Sequence, residues 1–173
     1  MQENPVVARA WGELFQTERS AERHPLVEAE RLGDAPPAFA MRLVSAHATR
    51  ALAELEVLAR ARGHEAAAAG HAVGELFSQM RQKLADLTLT QEMSYRGTLL
   101  GIRHGIDLVT LVHHAAAPVD PELHAWTGRW LEERTRLVQA VANELAWFAL
   151  RPADAEHPVV EGALGNAAKR IST

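Results

Sequence analysis

Cysteine is absent, so disulfides, thiolate metal sites and a cysteine nucleophile are excluded. Lysine is almost absent, with only Lys83 and Lys169, and the basic residues are otherwise arginine. Tyrosine occurs once and isoleucine three times, so the β-branched and aromatic residues that build sheets are scarce. No uncharged apolar run approaches the ~18 residues that span a bilayer. The longest candidate, Ile106 to Ala117, contains Asp107, His113 and His114. The first twenty residues carry Glu3, Arg9, Glu13, Glu18 and Arg19, which breaks any secretory apolar core. The expectation is a soluble, cytoplasmic protein without a membrane partner. A net charge of −4 gives no broad basic surface, so nucleic acid is not an expected partner either.

What the chain does contain is 32 alanines, 16 arginines and an apolar fraction of 47% in 173 residues. Alanine, leucine, arginine and glutamate favour helix. The alanine and arginine bias also fits a GC-rich bacterial genome. The length suits one domain with a sizeable core.

Helix punctuation divides the chain. Asn4-Pro5 is a cap followed by a first-turn proline, and Val7, Trp11, Leu14 and Phe15 share one helical face. His24-Pro25 is expected to interrupt or restart this helix. Gly33 to Pro37 reads as a linker. The next helix carries Val44, Ala48, Ala51, Leu55 and Leu58, and Gly63 is placed to end it in a left-handed conformation. A third stripe runs through Val73, Phe77, Met80, Leu84 and Leu87. A break is expected near Thr88, where polar and apolar residues alternate and Thr88 and Gln91 have capping-box spacing. The alternative is one continuous helix of about fifty residues, roughly 75 Å long. A fourth helix runs to Ala117. Asp120-Pro121 then starts a fifth, with Leu123, Trp126, Trp130, Leu137, Val141, Leu145 and Phe148 on its apolar face, and Arg151-Pro152 is expected to end it. The predicted fold is all-α, an antiparallel up-and-down bundle of about five helices. Residues 1–152 form one helical-bundle domain, and 153–173 a C-terminal tail or short strap.

The densest candidate site lies in the fourth helix. Gly97, Gly101 and Gly105 recur every four residues and are expected to form one groove without side chains. Three helical glycines together cost about 2–3 kcal/mol relative to alanine. Close packing, with Trp126, Trp130 or Phe77 in the groove, would offset this, and so would a bound flat ligand. A packed Gly101 would make Gly101→Leu destabilising. The pairs Glu92–Arg96 and Arg103–Asp107 have ion-pair spacing and are expected on the opposite side of the helix. Arg96 and Arg103 are suited to gripping a carboxylate or phosphate. His104 lies beside the groove, and Tyr95 shares a face with Ile102, Ile106 and His113. In the fifth helix, Glu133 or Arg134 stands where an apolar residue is expected. It either snorkels from the core edge or forms a buried ion pair with His47 or Asp107.

Ferritin-like di-iron bundles need two Glu-x-x-His motifs, and none is present. The layout resembles ferritin-like and hemerythrin-like bundles in helix number and length only, so no activity carries over. No nucleophile elbow, phosphate loop or dinucleotide fingerprint occurs. The favoured reading is a non-enzymatic binding or scaffold protein, without a cofactor, that associates with itself or another protein through the glycine-lined face. The alternative is a metal- or haem-binding bundle using His47, His71, Glu75 and His104.

Overall fold

A computed structural model describes residues 4–64 and 89–159. Among these residues the protein is all-α, with four long helices and two short ones. They are α1 (Pro5–Leu32), α2 (Pro36–Ala61), α3 (Gln91–Ala116), α4 (Pro121–Asn143), α5 (Leu145–Ala149) and α6 (Pro152–Ala155). The stripe from Val73 to Leu87 lies outside the described residues.

The ends follow local chemistry. Asn4 accepts a hydrogen bond from the Val6 amide at 2.9 Å, with Pro5 in the first turn of α1. Gly63 takes φ +78°, and the amides of Gly63 and His64 reach back to the carbonyls of Arg60 and Ala59, closing the end of α2. Asp120 accepts from the Leu123 amide at 2.9 Å and so caps α4. Arg62, at the end of α2, donates from Nε to Asp120 Oδ2 at 2.5 Å and from Nη2 to Oδ1 at 2.7 Å, tying two helix ends together.

Two expectations are corrected, and a third is placed to within two residues. The helix begun at Pro121 does not run to Arg151-Pro152: α4 ends at Asn143, a turn follows at Glu144, and Leu145–Ala149 is the separate α5. The first helix does not stop at His24-Pro25, because α1 runs through it. Proline removes the bond to the Ala21 carbonyl and crowds the preceding turn. Along this stretch α1 packs on α2, and the Ser45 hydroxyl donates at 2.7 Å to the Glu22 carbonyl, next to the freed Ala21 carbonyl. The break expected near Thr88 falls at Thr90, which is extended (ψ 163°) and caps α3 by accepting from the Met93 amide. A helix continuous through this point is excluded. Thr90 also pairs with Pro158, and the amides of Gln91 and Val159 donate to the carbonyls of His157 and Leu89. The residues after α6 are thereby laid against the start of α3.

Adjacent helices are antiparallel. α1 packs on α2 and α3, and α4 packs on the same two, so α1 and α4 lie diagonally opposite. The buried apolar residues form two clusters. One contains Val7 to Phe15 of α1, Leu55 of α2, Val109 of α3 and Trp126 of α4. The other contains Ala29 of α1, Met41 of α2, Tyr95 of α3 and Val141 of α4. Along the chain, Glu18, His47, Gly105 and Arg134 lie between the members of these two clusters on their respective helices. The bundle is two apolar halves separated by a polar layer, to which α3 contributes a glycine.

Candidate functional site

The polar layer is built across the bundle axis. Arg134 is 0% exposed, Glu18 1% and His47 4%. Arg134 Nη2 donates to Glu18 Oε2 at 2.6 Å, and Arg134 Nε donates to His47 Nδ1 at 3.1 Å. The guanidinium also covers the Trp130 ring at 4.7 Å. Burial pushes the Glu18 carboxyl above its usual range, and the Arg134 charge opposes that push. The Trp130 indole N–H also favours the charged carboxylate, although it makes no hydrogen bond of normal geometry. Burial lowers Arg134 and Glu18 raises it. His47 falls to about 3, first through burial and then through the charges of Arg134 and Arg50. Nδ1 of this neutral imidazole is an acceptor, which places its proton on Nε2, 3.7 Å from Glu133 Oε2. The polar interruption in α4 is therefore a buried ion pair. His47 is an expected partner and Glu18 an unexpected one, while Asp107 lies exposed elsewhere.

The sequence candidates divide around α3. Gly105 belongs to the core: a Cβ there would stand 2.9 Å from Thr17 Cγ2 and 3.9 Å from the Trp130 ring. Gly97 and Gly101 are exposed, and among the described residues nothing lies within 4 Å of a Cβ built on either. The three glycines thus do not share one groove. At 3.6 residues per turn each four-residue step rotates about 40°, so Gly105 is turned about 80° from Gly97. Among the described residues, close packing falls on Gly105 and Trp130 rather than on Gly101. Trp126 instead donates to Glu54 Oε2 at 2.6 Å, and Phe77 lies outside the described residues.

Gly97 and Gly101 line a groove of about 800 Å³ between α1 and α3. Arg103, His104 and Asp107 line it too, beside the two glycines rather than on the opposite side of the helix. Among the described residues, Arg103 and Asp107 form no ion pair with each other. Glu92 and Arg96 do pair, away from the groove lining. Tyr95 is a core residue: its hydroxyl donates to the Val141 carbonyl at 2.9 Å and its ring lies 5.1 Å from Phe148. Burial, followed by Glu144 and Glu28, raises its pKa.

The α1 wall of the groove, with Ser20, His24, Pro25, Glu28 and Arg31, was not among the sequence candidates. No periodicity within one helix tells which other helix stands beside it. Ser20 Oγ lies 3.0 Å from His24 Nδ1, and burial, then Arg23, lowers His24 below the ordinary histidine range. At one end Arg31 Nη1 contacts Glu28 Oε1 at 3.0 Å, and Ser94 donates to the same oxygen. Apolar surface comes from Met93 and Leu100, which are 46% and 65% exposed.

The metal candidates do not converge. His47 is held by Arg134 in the bundle centre, His104 lines the groove, and His71 and Glu75 lie outside the described residues. Among the described residues, no three histidine, aspartate or glutamate side chains are grouped to hold a metal ion. No described helix is long and apolar enough to cross a membrane. No protein-family model, curated protein or solved structure matches this chain.

Proposed function

We propose that the protein is a non-enzymatic binding or scaffold protein that self-associates by receiving a helix of a second copy in the α1–α3 groove. The observation that carries this reading is the exposed strip at Gly97 and Gly101, with no described residue within 4 Å of an added Cβ and with exposed Met93 and Leu100 beside it. A helix backbone can approach a glycine strip closely, and the neighbouring methionine and leucine supply apolar contact. Charged Arg31 and Glu28 near one end, and Arg103 and Asp107 near the other, give the polar rim of a helix-in-groove contact.

The chain has no cysteine, so an introduced one reports without background. In Leu100→Cys, oxidation is expected to yield a disulfide-linked dimer, and sedimentation of the unmodified protein is expected to show a dimer. Gly101→Arg should abolish that dimer while leaving helical circular dichroism unchanged. A wild-type monomer at 100 µM, in the concentration range of about 0.1 mM where weak association is visible, overturns self-association. An intrachain disulfide in Leu100→Cys/Phe77→Cys, formed in a monomer, would assign the groove to residues 65–88 of the same chain and also overturn it.

A further inference from the structure

We infer that the polar layer holds one buried water molecule, bound by Arg134, Trp130 and Glu18. Among the described residues three buried side-chain polar atoms lack a hydrogen-bond partner: Glu18 Oε1, Arg134 Nη1 and Trp130 Nε1. They belong to three residues already in contact, through the 2.6 Å Glu18–Arg134 pair and the 4.7 Å stacking of Arg134 on Trp130. The Trp130 indole N–H also acts on the Glu18 carboxylate, so all three residues border one another in the layer. Buried polar groups in native proteins are almost always paired, with ordered water as a standard partner.

The chemistry selects the ligand. Two of the atoms are N–H donors and one is a carboxylate acceptor. Water can accept from Arg134 Nη1 and Trp130 Nε1 and donate to Glu18 Oε1. That makes three hydrogen bonds, about the usual number for an internal water. The charges of Arg134 and Glu18 balance, so a neutral molecule brings no uncompensated charge into the core. An anion would meet the Glu18 carboxylate, and a cation the guanidinium. Gly105 gives α3 no side chain at this level, which leaves the layer to Thr17 and Trp130 beside it. The site is separate from the α1–α3 groove and does not depend on what binds there.

A crystal structure of the wild-type protein at about 1.5 Å tests this, with density expected 2.7–3.2 Å from all three atoms. Oxygen-17 relaxation dispersion of the wild type in solution should count one more long-lived water than Glu18→Leu/Arg134→Met. A bromide soak with an anomalous peak at the site would show an anion instead and overturn the proposal. Direct pairing of Oε1 with Nη1 or Nε1, without density between them, would overturn it as well. So would an equal water count in the wild type and the double variant.

Discussion

Glu18 and Arg134 meet at 2.6 Å across the diagonal of the bundle, joining the two long helices that share no extensive packing. Among the described residues, the extensive packing of the four long helices is of α1 and α4 each on α2 and α3. This pair, with His47 accepting from Arg134, fixes the relative height of α1, α2 and α4. One register satisfies all three side chains. A shift of one turn, about 5.4 Å, would strand a buried charge.

Removing one member of the pair is therefore expected to be severe. Arg134→Met alone leaves Glu18 ionisable in an apolar interior and should cost about 3–5 kcal/mol in urea unfolding. Glu18→Leu/Arg134→Met should recover most of that loss, because apolar side chains of similar volume need no partner. A double variant as unstable as Arg134→Met would show that the pair contributes through more than mutual charge compensation.

The pH dependence of stability should carry a His47 signature. Its pKa falls from 6.5 to about 3 on folding. Below pH 6.5 the unfolded chain binds a proton that the folded chain refuses, so stability falls as pH drops towards 3. The slope reaches about 1.4 kcal/mol per pH unit for one group. Glu18 acts in the opposite sense. Its raised pKa makes the folded state the better proton acceptor above 4.5, so acidification favours the fold through that group. His47→Gln keeps an acceptor for Arg134 and loses the proton site. Between pH 6.5 and 4 the variant should lose less stability than the wild type, measured by urea midpoints. Parallel curves would remove His47 from the account.

The glycines of α3 should respond with opposite signs. Gly101→Ala places a methyl where no described residue lies within 4 Å and should stabilise the monomer by roughly 0.8–1 kcal/mol through helix propensity. Gly105→Leu drives a side chain into Thr17 and Trp130 and should cost about 1–3 kcal/mol. Thermal melts at low concentration, where association does not contribute, make the comparison. Equal effects at the two positions would contradict the division of the glycine stripe between groove and core.

The helical class, the Asn4 and Asp120 caps and the Gly63 ending were legible in the sequence because each rests on interactions within a few residues. The start of α3 was legible to within two residues, since Thr88 and Thr90 both offer a capping hydroxyl and only the extended Thr90 backbone chooses between them. The anomaly at Arg134 was also visible, as a charge in an apolar stripe. The partner Glu18 was not. It sits 116 residues away on a helix whose own pattern gives no reason to single it out.

The sequence by itself determined which residues coil into helices, where most helices end and which face of each is apolar. Hydrogen bonds and side-chain periodicity act within a turn or two, so they are written locally. Tertiary structure decided which faces meet. It carried α1 through Pro25, set Glu18 against Arg134, and gave the groove its α1 wall. It also turned Gly105 into the core while leaving Gly97 and Gly101 exposed. A helical period fixes the direction of a side chain about its own axis, but the neighbour in that direction is fixed only when the helices pack.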